Sequence, residues 1–203
     1  MTQEAIRSSA SWKNLPVELR RLSWWPLLLA PAAVAAVSIP HALGDTRVLM
    51  LQHSLDDYGP FLIGLAAAMY VTRGFVTRNP LYIILAVLAS AMTIREIHFE
   101  HTAAEQYIKK GIYVAAALIG IWWFIWRRRL VAPLMGDRRH WSWLTCTLLV
   151  YALSVIVSRR LFKFVPGEKA MHRVAEETLE TVAHLMFIVT SLLGNWRRPS
   201  RDH

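Results

Sequence analysis

The chain has 203 residues, 55% of them hydrophobic and 18% charged, with nine Trp and a net charge of +9. That balance excludes an ordinary soluble domain and a disordered chain, and the one cysteine, Cys146, excludes an internal disulfide framework or a paired-cysteine metal motif. The Lys and Arg stand beside apolar runs rather than on a polar surface, so the charge does not read as a nucleic-acid footprint.

Six apolar segments, at 22–41, 57–73, 80–97, 110–127, 141–158 and 178–196, each approach the roughly 20 residues that a helix needs to cross a bilayer. The expected fold is therefore all-α: a polytopic bundle of six transmembrane helices over 22–196, preceded by a basic N-terminal arm over 1–21 and followed by a short tail over 197–203. The first segment carries Pro26, Pro31 and Pro40, which remove backbone donors and predict a kink. Its Ala-rich middle is similar to a signal peptide, but the apolar stretch is longer than such a leader and further spans follow, so it is expected to persist. The second segment is expected to open at Asp57-Tyr58-Gly59-Pro60, with Asp56 or Asp57 as a cap. The third should begin after Asn79-Pro80, an N-cap followed by proline at the first helical position.

Orientation follows from the basic residues, because cytoplasmic loops retain positive charge. The arm, the second and fourth connections and the tail hold 14 of the 23 Lys and Arg but only four of the 14 acidic residues. Both termini are thus expected in the cytoplasm of a cell whose inner membrane the chain crosses several times. All nine Trp fall near the cytoplasmic ends of the six segments, as an interfacial belt would place them. The stretch Asn14 to Trp25 reads either as a short interfacial helix or as a frayed basic leader.

Six of the eight His and ten of the 14 carboxylates gather in the opposite, outer half, a sorting that orientation rules do not explain. In the last segment Arg173, Glu177, Glu180, His184 and Ser191 fall within about 60° of one another on a helix, a polar stripe that cannot face lipid. His184 lies about 18 Å from the inner interface, near the bilayer middle, where ionisable side chains are normally enclosed and functional. The third segment ends in Arg95-Glu96-Ile97-His98-Phe99-Glu100-His101, placing Glu96 and Glu100 on one flank and His98 and His101 on another. Arg95 is level with Glu177 and Glu180, and an ion pair between them would fix helix register. His53, Asp56 and Asp57 share a face of the second segment with Pro60, Gly64 and Ala68, small residues at a spacing that lets helices approach closely.

Three functions fit this cluster between the second, third and sixth segments. The leading expectation is a small membrane subunit, sensor or assembly factor, without catalysis, that binds an ion, a lipid headgroup or a partner protein there. Its partners would be the bilayer and another membrane protein or a second copy of the chain. A metal-dependent intramembrane hydrolase of lipid-linked substrates would use Glu180, His184, His98 and His101 around Zn, Fe or Mn. No HExxH or paired Glu-x-x-His element supports it. A proton- or cation-coupled transporter would use the same buried Glu and His, but below His184 the last segment offers only Thr190 and Ser191. Haem held by His98 or His101 with His184 is disfavoured by the Arg and Glu crowded around them.

Overall fold

The computed structural model describes residues 20–44, 47–96, 137–159 and 168–194, together with 111, 114, 117–122, 124, 125 and 196. Among them there are helices and no strands. A 3-10 turn, η1 (Trp25–Leu28), leads into α1 (Leu29–Ala42), followed by α2 (Arg47–Thr77), α3 (Pro80–Glu96), α4 (Arg138–Ser158) and α5 (Glu168–Leu192). Residues 117–122 are helical as well.

The proline-rich first segment divides into η1, which holds Pro26, and α1, which carries Pro40 in its interior. The expected start of the second segment is corrected. α2 begins at Arg47, ten residues earlier, and runs straight through Pro60. A proline removes one rung of the hydrogen-bond ladder, and a long helix packed against neighbours tolerates that loss. Asp56 and Asp57 therefore stand in the interior of a helix rather than at its N-cap position. The Asn79-Pro80 start holds: the Asn79 side chain accepts a hydrogen bond from the Leu81 N–H at 3.0 Å. Arg78 completes the turn between α2 and α3 with a φ of 53°. α4 is capped by Asp137, whose carboxylate accepts from the His140 N–H at 3.1 Å.

α5 lies at the centre, packed against α1, α2 and α4, while α3 packs on α2. Its Phe187 joins a core built from Ile63, Ala66 and Tyr70 of α2 and Leu81, Leu85 and Ala89 of α3. Its Leu179, Ala183 and Met186 join a second core with Ala30 of α1 and Trp143, Cys146 and Val150 of α4. Gly74 brings α2 so close to α3 that a side chain there would collide with Ile83.

Contacts place the ends of these elements together. Ser23 meets Ser142, Trp25 meets Trp143, and Arg73 meets both His140 and Thr190. The beginnings of η1, α3 and α4 and the ends of α2 and α5 thus share one end of the bundle, here the tryptophan end; α1 and α2, α2 and α3, and α4 and α5 run antiparallel, whereas α3 and α4 run parallel.

Among the described residues, three helices are long and apolar enough to cross a membrane: Trp25–Ala42, Asp57–Thr77 and Arg138–Ser158. Pro80–Ile94 is a shorter apolar helix. Their outward faces carry Leu28, Phe61 and Phe75, each more than 65% exposed, an apolar surface that a water-soluble protein rarely shows. This is a membrane protein by its helices and its surface alike. α5 is excluded from that apolar group by its acidic residues, and its central position explains how it stands in the bundle without a lipid-compatible composition.

Candidate functional site

Two polar regions line α5, one at each end. The first was expected from the sequence. Glu177 and Glu180 are half-buried and His184 is buried, with Thr178, Thr181, Thr190 and Ser191 buried along the same helix. The polar stripe is turned into the bundle, as its spacing required. Arg173, at the open end of the stripe, is exposed and donates from Nε to Glu177 Oε1 at 2.7 Å, an i,i+4 pair on one helix. The second oxygen of Glu177, Oε2, is buried and has no hydrogen-bond partner among the described residues. Glu180 accepts a hydrogen bond from the Ser154 hydroxyl of α4 at 3.2 Å. The His184 ring packs against Tyr151 of α4 with centroids 5.7 Å apart. His172 and Glu176 form a further i,i+4 contact at 3.4 Å near the start of α5.

The remaining expected members are distributed differently. Asp57 is exposed. It lies thirteen residues before Tyr70, about 140° away around α2 from the face that meets α5. The Gly64 position on that flank of α2 faces Thr93 of α3 instead. His53, Asp56, Arg95 and Glu96 belong to α2 and α3, but their side chains lie outside the described residues, as do His98, Glu100 and His101 altogether. The expected Arg95 pairing and the His98 and His101 metal ligands fall there. Among the described residues, no group of three or more His, Cys, Asp and Glu gathers in a metal-binding arrangement.

The second region, at the tryptophan end, was not foreseen. Arg73 is completely buried. Its Nη1 donates to the Thr190 carbonyl at 3.1 Å and the Ser191 carbonyl at 2.8 Å, so it satisfies the last turn of α5, where backbone acceptors are otherwise orphaned and the helix dipole is negative. Its guanidinium lies 4.2 Å from the centroid of the Tyr82 ring and 5.5 Å from that of Trp196, cation–π contacts from α3 and from beyond α5. Nη2 faces His140 Nδ1 at 3.4 Å. Arginine can only donate, so Nδ1 is the acceptor and the ring proton sits on Nε2. His140 also stacks on Tyr82, 5.9 Å away and 10° from parallel. Gly194 closes the group: with a φ of +88°, it turns the chain after α5, and a Cβ there would stand 2.5 Å from Arg73 Nη2 and 2.7 Å from His140 Nδ1. Counting Arg73 as a loop charge hid it. The signal was its spacing from Tyr70 and Thr77, which puts an arginine on the inward face of a helix.

The two regions approach each other along a seam. Tyr70 of α2 donates its hydroxyl to Thr190 Oγ1 at 2.9 Å, and Thr147 of α4 is buried one turn below Tyr151. Phe187, fully buried, separates them, with its ring 4.7 Å from Tyr70 on one side and 6.0 Å from Tyr151 on the other. No family model, curated protein or solved structure matches this chain.

Proposed function

We propose that this chain is a multi-pass inner-membrane protein with six spans and both termini in the cytoplasm. In this reading it acts without a catalytic step of its own, as a small subunit, sensor or assembly factor whose outer polar cluster binds a cationic or hydrogen-bond-donating group. The buried Oε2 of Glu177 carries this reading, because a buried carboxylate oxygen without a donor is costly and native structures normally satisfy it. Glu180 and His184 stand one and two turns deeper on the same inward face and extend the site into the bundle. The parallel direction of α3 and α4 supports six spans. α3 starts at the tryptophan end and α4 starts there too, so the chain must return between Glu96 and Asp137, the stretch that contains the helical residues 117–122. Ile119 from that stretch packs against the core of α2 and α3.

Single cysteines placed at Gly44, Arg78, Asp137 and Arg159 in a Cys146→Ser background test the topology by labelling from one side of sealed cells. Positions 44 and 159 should label together and 78 and 137 only after permeabilisation; labelling of 44 with 78 would overturn the six-span reading. The site is tested by metal analysis of the purified protein and by its thermal midpoint with added Zn or Mn. A cationic ligand should raise the midpoint, and Glu177→Gln should abolish the rise. If Arg95→Ala alone collapses the fold and Glu177→Gln restores it, the oxygen serves an internal ion pair and the binding reading falls.

A transport reading gains one observation. The sequence offered no polar continuation below His184 on α5 itself, whereas α2 and α4 bring Tyr70, Thr147, Arg73 and His140 to that level. Phe187 and Leu144 are the apolar interruptions of the seam. Reconstituted vesicles should then show proton or cation flux that Phe187→Ala increases; vesicles as tight as protein-free ones would reject it.

A further inference from the structure

Folding joins two arginine pairs from distant parts of the chain at the tryptophan end. The Ser23 N–H donates to Ser142 Oγ at 3.0 Å, and that hydroxyl donates to the Arg138 carbonyl at 2.8 Å. Leu22 is buried, which pins the segment before η1 against the bundle. Arg20 and Arg21 on one strand of this junction and Arg138 and Arg139 on the other are all exposed.

The surroundings of this basic patch are apolar and aromatic. Trp24 is 40% and Trp25 54% exposed, and Trp25 is held edge-on against Trp143 with centroids 5.3 Å apart. One turn beyond the tryptophans the chain exposes Leu28 and Leu29, and about three turns into α4 from its arginines it exposes Leu148 and Leu149. A phosphate-binding protein in water has no use for an aliphatic apron below its arginines, whereas a lipid presents charge, an amphipathic interface and hydrocarbon in that vertical order. Guanidinium groups suit the phosphate because their planar forks bind it through two hydrogen bonds.

We propose that the patch formed by Arg20, Arg21, Arg138 and Arg139 with Trp24 and Trp25 is a binding site for an anionic phospholipid. The headgroup phosphate lies between the arginine pairs and the acyl chains lie against the leucines below. The site rests on the membrane reading above but not on which side of the membrane the patch faces. It also assigns a role to the junction of Ser23 with Ser142: it holds the N-terminal arm where both pairs reach one headgroup.

The test is native mass spectrometry of the full chain in detergent, titrated with phosphatidylglycerol or phosphatidylcholine. Phosphatidylglycerol should be retained about tenfold better, and retention should fall as salt rises, because the recognition is electrostatic. Each double variant, Arg20→Gln with Arg21→Gln and Arg138→Gln with Arg139→Gln, should lower retention several-fold at unchanged helicity. Arg78→Gln, an exposed arginine at the same end but on the turn between α2 and α3, should leave it intact. Equal retention of both lipids would overturn the proposal, as would an equal loss in the Arg78 variant or displacement of the lipid by millimolar inorganic phosphate. If one pair fails to fold when replaced, the other pair and the lipid comparison still decide. Detergent has no sides, so cysteine labelling can overturn the topology without touching this result, and a failure here leaves the topology standing.

Discussion

The two ends of α5 solve the same problem differently. At the tryptophan end one buried cation, Arg73, is tied to the carbonyls of another helix, to His140 and to two aromatic rings, so elements remote in sequence converge on it. At the opposite end the contacts among the described residues draw on fewer elements: Arg173 on the same helix meets Glu177, and Ser154 of α4 meets Glu180. A network with many partners from several elements fixes geometry, since moving any member leaves others unsatisfied. A carboxylate such as Glu177, paired with an exposed arginine on its own helix, can exchange that partner for a ligand at little loss. The tryptophan end is a lock, and the opposite end is where the proposed binding would disturb the fold least.

That contrast predicts a gradient of sensitivity. Arg73→Ala should have the largest effect, about 3–5 kcal/mol, because it strands buried acceptors at the end of α5. Thermal unfolding in detergent reads it, and Arg73→Lys should recover little, lacking the fork that reaches Thr190, Ser191 and His140 together. Gly194→Ala should follow, at about 1–3 kcal/mol, for an unfavourable φ and a collision with Arg73. Gly120→Ala, where an added Cβ meets nothing within 4 Å, is its control and should not destabilise. Glu180→Gln should lower stability by about 1 kcal/mol or less, since a neutral acceptor still receives the Ser154 hydroxyl, while any ligand bound at the outer cluster should be lost. Arg173→Ala should be the mildest, below about 0.5 kcal/mol, because an exposed i,i+4 pair contributes little. If Arg173→Ala proved as damaging as Arg73→Ala, the distinction between lock and binding end would collapse.

Much of this architecture was legible in the residues. Apolar length announced the helices, Asn79-Pro80 announced the start of α3, and the spacing of Glu177, Glu180, His184 and Ser191 announced an inward polar stripe. Other features were hidden for physical reasons. Asp57-Tyr58-Gly59-Pro60 looked like the opening of a helix because proline is common in a first turn, yet the packed α2 absorbs the missing hydrogen bond. Asp57 shares a face with residues that approach α3, so its acidity does not join the stripe of α5. Arg73 counted only as a positive charge near a turn, since nothing within its own helix reveals that the end of α5 lies beside it.

By itself, the sequence determined composition-driven properties: helices rather than sheets, a surface that belongs in lipid, and the face on which α5 is polar. These depend on hydrophobic length and on the 3.6-residue period, both local quantities. Tertiary structure decided which polar groups meet. It placed the most polar helix at the centre, brought Arg73 to carbonyls 117 and 118 residues away, and joined the segment before η1 to the first turn of α4. A buried polar group must find its partner in three dimensions, and no local period encodes where that partner will be.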